Sequence, residues 1–174
     1  MQPQIRETAD GSSTLFAPAL NQHYHSIHGA VQESLHVFIE AGLHHVKIPE
    51  IAILEIGFGT GLNAFLTLLE TQKAAQKVTY AAVEKFPISS ELAADLNYAN
   101  RFAENPDAQK LFAALHNAAW EFAIKITPNF TLVKQQKDFL EITDQATFDV
   151  IYFDAFSPEA QPELWTEAIF ERMH

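Results

Sequence analysis

The sequence contains no cysteine, which excludes disulfides, thiolate metal centres and thiol catalysis and leaves any chemistry to other groups. It also lacks an apolar run of about 18 residues, so no membrane-spanning helix is expected. Its first residues, MQPQIRETADGSS, have neither the basic nor the apolar region of a secretory signal. A soluble, cytoplasmic protein is the expectation. Positive charge is scarce: 11 Lys and Arg face 22 Asp and Glu, a formal net charge of -11. That balance disfavours long-range attraction to phosphate backbones or anionic membranes. A nucleic-acid partner would need a local basic patch, and no Lys or Arg run supplies one; Lys125, Lys134 and Lys137 are the residues that folding could gather into it. Metal-ligand spacing is absent as well. The eight histidines include His23, His25 and His28 and the pair His44 and His45, without any H-E-x-x-H arrangement, so they read as exposed or core-edge side chains and no metal is expected.

What is present suffices for one domain with a full core: 174 residues, 48% of them hydrophobic. Two short extended segments around Asp10-Gly11 predict a hairpin, and Val31, Leu35, Phe38 and Ile39 predict a helix that Gly42 would stop. Residues 1–48 are therefore read as a hairpin and helix packing on a core of residues 49–174. From Ile51 onward, short apolar runs alternate with helical periodicity. The pattern predicts a strand over 51–56, a glycine loop, a helix over 62–71, a strand over 78–84, helices over 89–99 and 107–122, strands at 130–135 and 148–154, and a helix from near Pro162. This alternation predicts an α/β fold with a mostly parallel sheet and helices on both faces. Sheets of this kind usually continue past a fourth strand, so with His174 as the last residue the C-terminal strands are expected to be missing.

The segment ILEIGFGTGLN, residues 53–63, places Gly57, Gly59 and Gly61 directly after a strand. Packing alone can call for glycine in such a turn. No Lys-Ser or Lys-Thr follows, which excludes a phosphate-binding P-loop. A dinucleotide site stays open, because Gly59, Gly61 and Ala64 satisfy G-x-G-x-x-A and Glu84, ending the next strand, could hold a ribose. Glu55 points elsewhere: just before the glycines it would repel a pyrophosphate and attract an ammonium group.

The E-x-G-x-G-x-G pattern resembles the first motif of the Rossmann-like S-adenosylmethionine-dependent methyltransferases. The resemblance implies S-adenosylmethionine as cofactor, held by Glu55, Gly57, Phe58, Gly59, Thr60, Gly61 and Asn63, with Glu84 on the ribose, Lys85 beside it, and Asp138 near the adenine. The family commonly has Gly-Asp where this chain has Lys137-Asp138.

A second segment, YFDAFSP at residues 152–158, falls where the fourth predicted strand ends, the place where such sheets bind ligands. A polar turn with Asp154 capping the next helix is the plain alternative. Methylation of an amine needs a free lone pair aligned on the methyl group. An amine with a pKa of about 10 is neutral in roughly one part per thousand at pH 7, a penalty near 4 kcal/mol. Asp154 could accept an amine hydrogen bond and steer that lone pair.

Taken together, EIGFGTGLNAFL, VEKFPISSEL, KDFLEI and FDAFSPEAQPELWTEAIF are similar to the methyltransferases that complete 5-methylaminomethyl-2-thiouridine at the tRNA wobble position. These occur alone or fused to a flavin-dependent oxidase. The resemblance implies tRNA as partner, with an oxidase acting upstream, Asp154 as catalytic residue, and Phe156, Pro158, Tyr24 and Ser26 on the substrate side. Ala155 and Ser157 stand where relatives often have Gly and Ala. Two other outcomes stay open: methylation of a small-molecule amine, and a cofactor-binding fragment without turnover.

Overall fold

The structure, a computed structural model, describes residues 2–74, 76–142 and 147–173. Strands β1 (Gln4–Glu7), β2 (Ser13–Ala17) and β3 (Gln22–His23) form a small antiparallel sheet. The predicted hairpin turns at Asp10-Gly11, where Asp10 Oδ1 accepts from the Ser12 amide at 2.8 Å. Helix α1 (Ala30–Ser34) runs without a break into π-helical turns at Leu35–Glu40. The wider turns bury Phe38 and Ile39 while leaving Val37 half-exposed.

The central sheet holds β4 (Glu50–Ile56), β5 (Lys77–Val83), β6 (Ala123–Thr127), β7 (Phe130–Gln135) and β8 (Val150–Phe153), in the order β6-β7-β5-β4-β8. All neighbours are parallel except β6, which pairs antiparallel with β7. Period-two alternation divides the sheet into two faces. Ile51 and Ile53 of β4, with Val78, Tyr80 and Ala82 of β5, join the larger core together with Leu15, Phe38 and Ile39. Leu54, Ile56 and Val83 turn the other way, onto Phe139 and Ile169. Helix α2 (Leu62–Lys73) lies between the sheet and helices α1 and α4 (Ala108–Asn117). It is buried at nine positions, as a central helix must be.

Three predicted elements take different forms. The helix over 89–99 is only α3 (Ser90–Ala94), followed by a 3-10 turn at Tyr98–Phe102. Between them Asn97 is drawn to the hairpin: its Oδ1 accepts from the Ser13 amide at 2.8 Å and its Nδ2 donates to the Gly11 carbonyl at 2.9 Å. The helix over 107–122 ends at Asn117, because Ala118 turns extended (ψ 132°) and Glu121 takes a left-handed conformation (φ 68°) that starts the unforeseen strand β6. Near Pro162, a 3-10 turn (Pro162–Leu164) precedes helix α5 (Glu167–Met173). Among the described residues no helix is long and apolar enough to cross a membrane.

Candidate functional site

Strand β4 leads to β5 on one side and β8 pairs with its other side, so the chain reverses direction of winding at β4. Ligands of open α/β sheets bind outside the carboxyl ends of the strands at such a point. The predicted residues come together there: the glycine loop follows β4, Glu84 follows β5, Asp138 follows β7 and Asp154 follows β8. A cavity of about 860 Å³ opens over these ends, within the range of small-molecule sites.

The loops after β4 and β8 touch through their backbones. Gly57 has φ +91°, and a Cβ there would lie 2.7 Å from the Asp154 carbonyl oxygen; only glycine permits both the angle and the approach. The Gly57 amide donates to the Val83 carbonyl at 2.9 Å, tying the loop to β5. Glu84 closes the ring. Its Oε2 accepts from the Gly59 amide at 3.0 Å and its Oε1 from the Phe86 amide at 2.8 Å. Each oxygen keeps a lone pair for a ligand hydroxyl.

At the mouth, Lys85 Nζ donates to Asp138 Oδ2 at 2.7 Å, and this contact holds the Asp138 carboxyl below its ordinary range. Phe86, Ile88, Leu92, Phe139 and Leu140 supply apolar wall. A cavity of this size, with apolar walls, a carboxylate cradled by loop amides and a glycine edge, fits a nucleoside carrying an amino-acid arm.

A buried polar unit meets the cavity at its floor. Asn63 Nδ2, on the first turn of α2, donates to Glu55 Oε1 at 3.0 Å and to Asp154 Oδ2 at 2.8 Å. One amide thus bridges two carboxyl groups. Glu55 is fully buried, and burial, with Asp154 beside it, raises its pKa well above the ordinary carboxylate value. Burial pushes Asp154 up to about 7, against the opposing Asn63 hydrogen bond. Glu55 does not line the cavity. Asp154, to which Asn63 links it, does.

Tyr24 comes over from the N-terminal sheet. Its ring stands edge-on to Phe156 with centroids 5.0 Å apart, and both line the cavity. Burial, then the nearby Glu84 charge, pushes the Tyr24 hydroxyl up to about 12. The Phe156 backbone is held on both sides: its amide donates to Gln161 Oε1 at 3.2 Å and its carbonyl accepts from Trp165 Nε1 at 2.8 Å. Phe58, Thr60, Asn63 and Lys85 also line the cavity, whereas Gly61, Ser26 and Pro158 do not. Ser26 Oγ accepts from the His28 amide at 3.1 Å, outside the site.

Two histidines that read from the sequence as exposed or core-edge side chains, His25 and His116, stand beside the loop. His25 is buried, its Nε2 is 3.4 Å from Thr60 Oγ1, and burial pushes it down to about 4. His116 Nε2 lies 3.1 Å from the Thr60 carbonyl. Neither has a spacing signal. Lys134 is a correction: it belongs to no surface patch and is 1% exposed. The β7 alternation of Phe130, Leu132 and Lys134 was the available sign. Among the described residues no group of three His, Asp or Glu is placed to hold a metal.

Comparison with known proteins agrees with this geometry. A family model described as S-adenosyl-L-methionine-dependent methyltransferase matches residues 100–174. The chain is 32% identical over 174 aligned positions to the tRNA 5-methylaminomethyl-2-thiouridine biosynthesis bifunctional protein MnmC of Delftia acidovorans, covering 88% of this chain and 25% of that protein. It is 31% identical over 182 positions to the protein of the same name from Magnetococcus marinus, covering 92% and 25%. Among solved structures it resembles MNMC2 from Aquifex aeolicus, with a TM-score of 0.77 and 25% identity over 99% of this chain and 55% of that one. The chain spans about a quarter of the length of the curated relatives it matches.

Proposed function

Because the chain belongs to the S-adenosyl-L-methionine-dependent methyltransferases, we propose that it methylates the aminomethyl group of a modified wobble uridine in tRNA, the modification named in its bifunctional relatives. The observation that carries this reading is Asp154, set at the carboxyl end of β8 and oriented by Asn63 at 2.8 Å. We read Glu84 as the ribose acid, Asp138 as the adenine-side acid, and the loop from Gly57 to Gly61 as the cradle. Residues 1–48 serve as a layer packed on the core of residues 49–174, contributing Tyr24 to the acceptor side. The setting is cytoplasmic, and a flavin-dependent oxidase activity would generate the amine upstream.

When bound, S-adenosylmethionine supplies an electrophilic methyl group. The protein must supply a neutral, aligned amine. An acceptor ammonium that enters the cavity would pass a proton to the Asp154 carboxylate, which leaves the nitrogen lone pair free to be aimed at the methyl group that the cofactor would supply. A base whose pKa sits near 7 suits this transfer at neutral pH, because about half of it is ionised and able to take a proton. Burial of Glu55 behind Asn63 disfavours a second negative charge in the bridged pair. Alignment of amine and methyl can contribute roughly 7–11 kcal/mol at best. Tyr24 and Phe156 line the wall where a flat base would enter, and offer it aromatic edges and faces.

The test supplies the chain with S-adenosylmethionine and tRNA bearing 5-aminomethyl-2-thiouridine, then digests the tRNA and weighs its nucleosides. A gain of one methyl group at that uridine, absent with Asp154→Asn, supports the reading. Methylation of free amines without methylation of tRNA would replace the acceptor, and no methylation of either would leave a binding protein.

A further inference from the structure

The reaction above makes no use of Lys134, although a buried cation is costly to place. Strand β7 directs it inward with Phe130 and Leu132. Its Nζ donates to the His116 carbonyl at 2.8 Å, in the last turn of α4, and stands 4.8 Å from the Trp120 ring centre and 5.3 Å from that of Phe58. A helix C-terminus and two aromatic faces thus replace its water. A methionine would fill the same space with no charge to desolvate, so stability alone does not account for a lysine here.

Both contacts lead to the glycine loop. Phe58 stands between Gly57 and Gly59. His116, whose carbonyl Lys134 holds, meets the Thr60 carbonyl with Nε2 at 3.1 Å. A carbonyl only accepts, so Nε2 carries the proton; burial, then the Lys134 charge, pushes this ring down to about 4 and keeps it neutral. Gly61 rests on the same imidazole: at φ +72°, a Cβ there would lie 3.0 Å from Nε2. A separate cavity of about 50 Å³ behind the loop is bounded by Gly59, Ser90, His116, Trp120 and Lys134.

We propose that Lys134 is a positioning residue for the cofactor loop: through Phe58 and through His116 it holds residues 58–61 in the shape that aims the Gly59 amide at Glu84. The proposal rests on the reading of the large cavity as the S-adenosylmethionine site. Lys134 makes no contact with that cavity, so its effect is on affinity rather than on chemistry.

The test is calorimetric titration of the full chain with S-adenosylhomocysteine, alongside thermal unfolding and tryptophan fluorescence in a Trp165→Phe background, which leaves Trp120 as the single reporter. Lys134→Met is expected to shift Trp120 emission in the free chain, to unfold at or above the parent temperature, and to bind S-adenosylhomocysteine at least tenfold more weakly. His116→Phe keeps the ring packing and the backbone carbonyl, removes only the Nε2 donor, and is expected to weaken binding severalfold; it decides the matter should Lys134→Met not fold. Affinity equal to the parent's in the folded variants would overturn the positioning role and leave the cofactor reading intact. A parent chain that does not bind S-adenosylhomocysteine would overturn both.

Discussion

Replacing Asp154 by Asn is expected to make the protein more stable above neutral pH while removing its activity. Burial lifts the Asp154 carboxyl from 3.8 to about 7. A carboxyl whose folded pKa is raised gives stability that is fully present below its unfolded pKa, near 4, and lost as pH rises through about 7, because the folded chain holds a proton the unfolded chain has released. Three pH units at about 1.4 kcal/mol each set an upper limit near 4 kcal/mol. Asp154 is partly exposed at the cavity wall, and solvent screening reduces this to about 2 kcal/mol. Asparagine has the same shape, can still accept from Asn63 Nδ2, and does not ionise. Urea unfolding should therefore show parent and variant alike near pH 4.5 and the variant ahead by about 2 kcal/mol at pH 8, or roughly 4–8 °C in melting temperature for a chain of this size. Turnover should fall by about 10²- to 10⁴-fold with the base removed. A stability difference that does not change with pH, or a variant weaker at pH 8, would refute the assignment of the raised pKa to this carboxyl.

Glu84→Ala frees the Gly59 and Phe86 amides at once, and calorimetry should show at least tenfold weaker binding of S-adenosylhomocysteine; unchanged affinity would remove Glu84 from the site. Gly57→Ala drives a Cβ to 2.7 Å from the Asp154 carbonyl at φ +91°, with an expected loss of about 2 kcal/mol or more in denaturant unfolding. His25, buried and pushed down to about 4, contributes stability present above pH 6.5 and lost as pH falls toward 4, opposite in sign to Asp154. In His25→Gln the stability should decline less below pH 6.5 than in the parent, as urea midpoints across that range will show.

The parts of the fold that were legible are those whose signals are local. The alternation within β4 and β5, the helical spacing of α2 and the dipeptide Asp10-Gly11 each act over a few residues, and each element stands where it was expected. The elements that took other forms answer to distant partners. Asn97 ends α3 because Gly11 and Ser13, more than 80 positions away, take its side chain. Strand β6 follows α4 without a Gly or Pro to announce it, since Trp120 bridges to Lys134 and Glu121 turns left-handed. Glu55, Glu84, Asp138 and Asp154 were visible because each lies near the carboxyl end of a strand or just past it. The bridging amide of Asn63 and the support of the loop by His25, His116 and Lys134 were not, because they depend on which side chains meet across elements. Lys134 shows the limit well: alternation placed it inward, but a lysine reads as a surface residue until its two rings and carbonyl are seen.

The opening of the cavity carries a practical consequence. Gln2 and Pro3 line the cavity together with Leu20, so anything joined ahead of them, an affinity tag included, begins close to the cavity wall. The same closeness offers an optical handle. Since the chain has no thiol of its own, Gln2→Cys would introduce a single labelling point, and a dye coupled there would sense arrival and departure at the rim without touching the floor on which Asp154 and Asn63 meet.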